Sequence, residues 1–164
     1  MTDPIQEWHD FFIATAGAAA ALTGLLFVGI SISLSKILSL PKLPSRALLS
    51  LILLFGILVL SIFFLIPGLS LHILGAGTAV LGILVWTSAF RLDLSSWNKT
   101  EQSYRRLHLV NILFSQLASL PYILSGLTLL CAGESGIYWL LPAFVFSFFK
   151  SLMDAWVLLI EINR

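Results

Sequence analysis

Five apolar stretches follow one another along this 164-residue chain, each long enough to cross a hydrocarbon core, which takes roughly 20 helical residues. They run Phe11–Leu34, Ala47–Ile66, Ser70–Phe90, His108–Cys131 and Gly136–Ile160. The second and third nearly merge, but one rod of that length would reach about 66 Å, against a bilayer core of about 30 Å. Pro67-Gly68 breaks them and predicts a tight hairpin. Glu134, within Ala132-Gly133-Glu134-Ser135-Gly136, marks the matching turn before the fifth stretch. The pattern predicts an all-α, polytopic transmembrane bundle of about five spans, one domain over residues 1–164.

Charge orients that bundle. Lys36, Lys42 and Arg46 fall in the loop 35–46, and Arg91, Lys99, Arg105 and Arg106 in the loop 91–107. The segments predicted to lie on the other side carry no Lys or Arg, only Asp3, Glu7, Asp10 and Glu134. The positive-inside rule makes both basic loops cytoplasmic, with the N-terminus outside and the C-terminus inside. Trp8 and Trp139 then fall at the outer boundary, and Trp86, Trp97 and Trp156 at or near the inner one, as an aromatic belt requires. Pro41 and Pro44 predict an extended first loop. In the second, Thr100 is a candidate helix cap, with Glu101 and Arg105 paired at i,i+4. The sequon Asn98-Lys99-Thr100 falls on the cytoplasmic face and carries no expectation of glycosylation.

Composition agrees with lipid as the solvent. The chain is 59% hydrophobic and 10% charged, where soluble domains have about 45–50% and about 25%. A chain this small cannot hide that excess in a globule. The single Cys131 excludes an intrachain disulfide and any paired-cysteine metal motif. The acidic start, Met1 to Asp10, does not read as a signal peptide.

Small residues line one face of the first span: Gly17, Ala21 and Gly24, with Ser31 seven further on. Such a face suits close helix packing, a subunit contact or a pore lining. Gly75, Ala79 and Gly82 form a weaker stripe on the third span. Lys150 is the principal candidate for a polar site. Helical side chains lean toward the helix N-terminus, which here directs the lysine away from the nearer surface and toward a partner in the bundle. Asp154 one turn on supplies the opposite charge. Asn111 and Gln116 lie at similar depth on the fourth span, so the four predict an intramembrane polar cluster. A structural ion pair is the competing reading.

Glu7, His9, Asp10, His72 and Glu134 gather at the outer face, with His9, Asp10, His72 and Glu134 as weak metal candidates. No ligand spacing fixes a geometry, so no metal and no cofactor are expected. Pro121 and Pro142 are candidate kinks. Nucleophile elbows, zinc-protease helices and phosphate loops are all absent from the sequence, which argues against an enzyme. The seven loop cations are too few and too diluted for nucleic acid; they suit anionic lipid heads.

Trp8-His9-Asp10-Phe11-Phe12, the run Ala16 to Val28, and Leu40-Pro41-Lys42-Leu43-Pro44 resemble small bacterial integral membrane proteins of unassigned function. The resemblance covers the first third and implies a bacterial inner membrane, with no ligand residue carried over. The leading expectation is a homo-oligomeric channel or transporter-like protein for a small ion or solute. The alternative is a non-transporting accessory or regulatory subunit that meets a membrane partner through 91–107. Lys150 facing a cavity lined by Asn111 or Gln116 favours the first; Lys150 buried with Asp154 favours the second.

Overall fold

The computed structural model describes residues 7–40, 43–97 and 105–162. Lys42, Lys99, the Thr100 cap, the Glu101–Arg105 pair and the sequon lie outside the described residues, as do the side chains of Trp97, Arg105 and Arg106. Five long helices carry the fold: α1 (His9–Ile32), α3 (Leu43–Leu65), α4 (Leu71–Trp97), α5 (Arg105–Ala132) and α6 (Leu140–Ile162). A short helix α2 (Leu34–Ser39) follows α1, and a 3-10 turn, Gly133–Trp139, separates α5 from α6. Among the described residues there is no strand.

The chain is a multi-pass helical membrane protein. Its long helices have 23 to 28 residues, about 35–42 Å at 1.5 Å per residue. Outward positions remain bare hydrocarbon: Leu25 is 70% exposed and Ile32 80%, which water would not tolerate over whole helices. By hydropathy alone 109–161 is one apolar run of 53 residues. The 3-10 turn folds it in two, and α5 and α6 lie antiparallel. Ser125 donates to the Gly136 carbonyl at 2.8 Å, Tyr122 meets Ser147, and Phe114 packs on Phe149.

α3 is the structural centre because it buries two adjacent stripes. Leu43, Ala47, Ser50, Leu54, Ile57, Ser61 and Phe64 recur at alternating steps of four and three, and Leu49, Leu53, Gly56 and Leu60 form the second stripe. Spacing of this kind keeps one face toward a neighbouring helix. α3 packs on α4 and α6, and α5 packs on the same two, so α3–α4–α5–α6 close into a four-helix ring. α1 stands outside the ring against α3. Phe12 stacks on Phe64 with centroids 4.7 Å apart, and the Thr15 and Ser61 hydroxyls share a 2.9 Å hydrogen bond. Half of the membrane-length stretch of α3 is buried, but only 11% of that of α1.

Several local expectations change. The segment 35–46 is not simply extended: Leu34–Ser39 is helical, and Pro44 sits in the first turn of α3. A helix leaves its first N–H groups unbonded anyway, so proline loses nothing there. The same reason removes the kink expected at Pro142, which is the third residue of α6; Pro121 does lie inside α5. The loop 91–107 shortens, because α4 continues to Trp97 and α5 starts at Arg105. Gly68 (φ +78°) and Gly133 (φ +68°) supply left-handed backbone at the two reversals on the opposite end.

Candidate functional site

Two ends of opposite character frame the bundle. At one end Trp8 packs edge-on to Tyr138, with centroids 5.1 Å apart, joining the start of α1 to the 3-10 turn. His9, Asp10, His72 and Glu134 belong to this end and are exposed. His9 and Asp10 approach to 3.8 Å, but no three potential ligands converge among the described residues. The weak metal candidates are not assembled. At the other end lie α2 with Lys36, the start of α3 with Arg46, and the far end of α4 with Arg91.

The charged pair lies between these ends. Lys150 is about 15 Å along α6, ten residues from its start. Its Nζ donates to Asp154 Oδ2, one turn on, and each residue is 2% exposed. Removing two charges from solvent costs several kcal/mol per ion, so mutual pairing is what makes the burial tolerable. Ser151, between them, donates to the Ser50 carbonyl of α3 at 3.2 Å.

The partners named from sequence divide. Gln116 is engaged with a different helix: Trp86 Nε1 of α4 donates to its Oε1 at 2.7 Å. Asn111 is half-buried, and no hydrogen bond joins it to Lys150 or Asp154 among the described residues. The predicted four-residue cluster therefore reduces to the pair itself. A set of hydroxyls takes the place of the two amides. Ser115, Ser119, Tyr122 and Ser125 recur along the inner face of α5, and Ser147 and Ser151 along that of α6, all buried. Tyr122 and Ser147 share a 2.9 Å hydrogen bond, Ser147 also donates to the Ala118 carbonyl, and Ser119 to that of Ser115. The Phe114–Phe149 contact brings the Ser115 and Lys150 stretches of these two antiparallel helices alongside one another. The fully buried Ser115 hydroxyl has no hydrogen-bond partner among the described residues. Steps of three and four between these hydroxyl-bearing residues are the signal that sequence reading passed over, because single serines carry little weight one at a time.

The small-residue stripes exchange roles. Gly17, Ala21, Gly24 and Ser31 face away from the bundle, and a Cβ at Gly17 or Gly24 would meet nothing within 4 Å. The expectation of close packing within the bundle on this face is thus overturned, since α1 turns Phe12, Leu22 and Leu26, and not the small residues, toward its neighbours. Ser31 closes its hydroxyl onto its own helix at the Phe27 carbonyl. The weaker stripe is the one in use: Gly75, Ala79 and Gly82 of α4 receive α5, where a Cβ on Gly82 would come within 2.9 Å of the Ile123 nitrogen.

A crevice of about 490 Å³ separates the later halves of α1 and α6, lined almost wholly by aliphatic residues and reached by neither Lys150, Asp154, Asn111 nor Gln116. Comparison with known proteins yields no matching family model, curated protein or solved structure.

Proposed function

We propose that this chain is a non-transporting membrane protein that serves as an accessory subunit, working through lateral association with another membrane protein. The observation that carries this reading is the closure of Lys150 on Asp154 inside the bundle, each residue 2% exposed and neither lining the crevice beside α1. A transport site needs its charge to reach a path that solute can enter. Here the charge is met within α6 itself, by a carboxylate one turn on. α1, held by little more than one neighbour, supplies free helix surface for association.

The location proposed is a bacterial cytoplasmic membrane, with the N-terminus outside. Clustering of Lys36, Arg46 and Arg91 at one end, opposite the acidic Asp10 and Glu134, supports that orientation through the positive-inside rule. A second reading, the homo-oligomeric channel, keeps one observation in its favour: the outward Gly17–Ala21–Gly24 face leaves room for copies to meet around an axis.

Native mass spectrometry of protein released from lipid nanodiscs separates the two. A monomer supports the accessory reading. A closed ring of copies that also passes ions across a planar bilayer overturns it.

A further inference from the structure

The crevice beside α1 has the dimensions and chemistry of one lipid chain. α1 meets α6 at its start, where Phe11 stacks on Phe144, then stands away from Leu22 onward. α2 turns back under the gap and brings Ile37 onto Leu158. The opening along α1 runs from Leu22 to Ile32, about 15 Å at 1.5 Å per residue. That is the depth of one leaflet of a core about 30 Å thick. Its volume of about 490 Å³ is within the roughly 300–1,000 Å³ of small-molecule sites.

Its walls demand hydrocarbon. Ser33 and Ser151 are the polar residues in the lining, and the Ser151 hydroxyl is already bonded to the Ser50 carbonyl. Gly29 faces the space with nothing within 4 Å of where a Cβ would stand. The end where the headgroup of such a chain would sit is cationic. Among the described residues, the helices that wall the crevice place exposed Lys36 and half-buried Arg46 at this end, with half-buried Glu161 as the carboxylate there. Cations at this depth attract anionic headgroups at about 1 kcal/mol each.

We infer that the α1–α6 crevice binds one acyl chain of an anionic phospholipid drawn from the leaflet on the Lys36–Arg46 side. The lipid fills the space that α1 leaves open and holds that helix away from α6. This site is independent of whether the chain acts alone or in copies, since lipid is counted per chain.

The test uses nanodiscs of equal phosphatidylglycerol and phosphatidylcholine, gentle release, and the mass of lipid retained per chain. One phosphatidylglycerol per chain is expected, favoured about tenfold over phosphatidylcholine, a difference of about 1.4 kcal/mol. Gly29→Leu, whose Cβ meets nothing within 4 Å, plugs the crevice and should lower retention about tenfold at unchanged thermal unfolding. Ala155→Leu does so from the opposite wall if the first variant proves unstable. Lys36→Gln with Arg46→Gln should abolish the preference between headgroups. Equal retention of the two lipids by the unmodified chain overturns the inference, as does undiminished retention in both plugged variants.

Discussion

Gly126 of α5 lies so close to Ala79 of α4 that a Cβ on the glycine would stand 2.4 Å from the Ala79 nitrogen. The backbones of the two helices meet there without side chains between them. In lipid, where apolar surface gains nothing by leaving its solvent, such close approach is the main source of helix–helix attraction.

Gly126→Ala should therefore destabilise the bundle by about 1–3 kcal/mol, because backbone rather than a flexible side chain would have to move. Gly17→Ala, in open space on α1, should be neutral or stabilising by about 0.5–1 kcal/mol. Thermal unfolding of both variants in detergent gives the contrast, and equal behaviour would refute the α4–α5 contact.

Lys150 and Asp154 should behave as a unit. Lys150→Met alone strands a buried carboxylate and is expected to cost about 3–5 kcal/mol. Lys150→Met combined with Asp154→Leu removes both charges and should recover most of that loss. A double-mutant cycle on unfolding free energies measures the coupling, and additive effects would show that the two residues act separately.

Trp86→Phe removes the donor to Gln116 Oε1 and leaves a partly buried amide oxygen unbonded, at about 1–3 kcal/mol. Adding Gln116→Leu should restore stability, since replacing both partners by apolar groups is nearly neutral. Unfolding midpoints of the single and double variants check this; a double variant no more stable than the single one sinks it.

Gly17→Leu with Gly24→Leu should leave the unfolding of the isolated chain within about 0.5 kcal/mol, because both positions face open space. Association is the property these changes should alter, read as the loss of a co-purifying partner or of copies in the native mass spectrum. A large drop in the chain's own stability would place α1 deeper in the bundle than it lies.

Hydropathy made the five spans and the Pro67-Gly68 reversal legible, because lipid imposes one demand on every residue of a span. Helix ends were less so: α4 passes seven residues beyond Phe90 to Trp97, since a helix does not stop where the hydrocarbon does. The Lys150–Asp154 pair was legible because i,i+4 geometry is local. Gln116 was misassigned because choosing between Lys150 and Trp86 requires knowing how α5 is rotated, and apolar helices surrounded by lipid carry weak rotational signals. For the same reason the stripe on α1 outranked that on α4 in sequence, while only the latter found a neighbour.

The ring and its outlier also set an order of assembly. A nascent chain made at about 5–20 residues per second releases α1 into the bilayer seconds before α3, its main support, is complete. Beyond His9 and Asp10 in its first turn, the polar side chains of α1 are Thr15, Thr23 and Ser31, each bonded to its own helix. Closure of the ring waits for α6, so Lys150 and Asp154 arrive last. They enter already neutralised by one another, against serines that α5 has put in place beforehand.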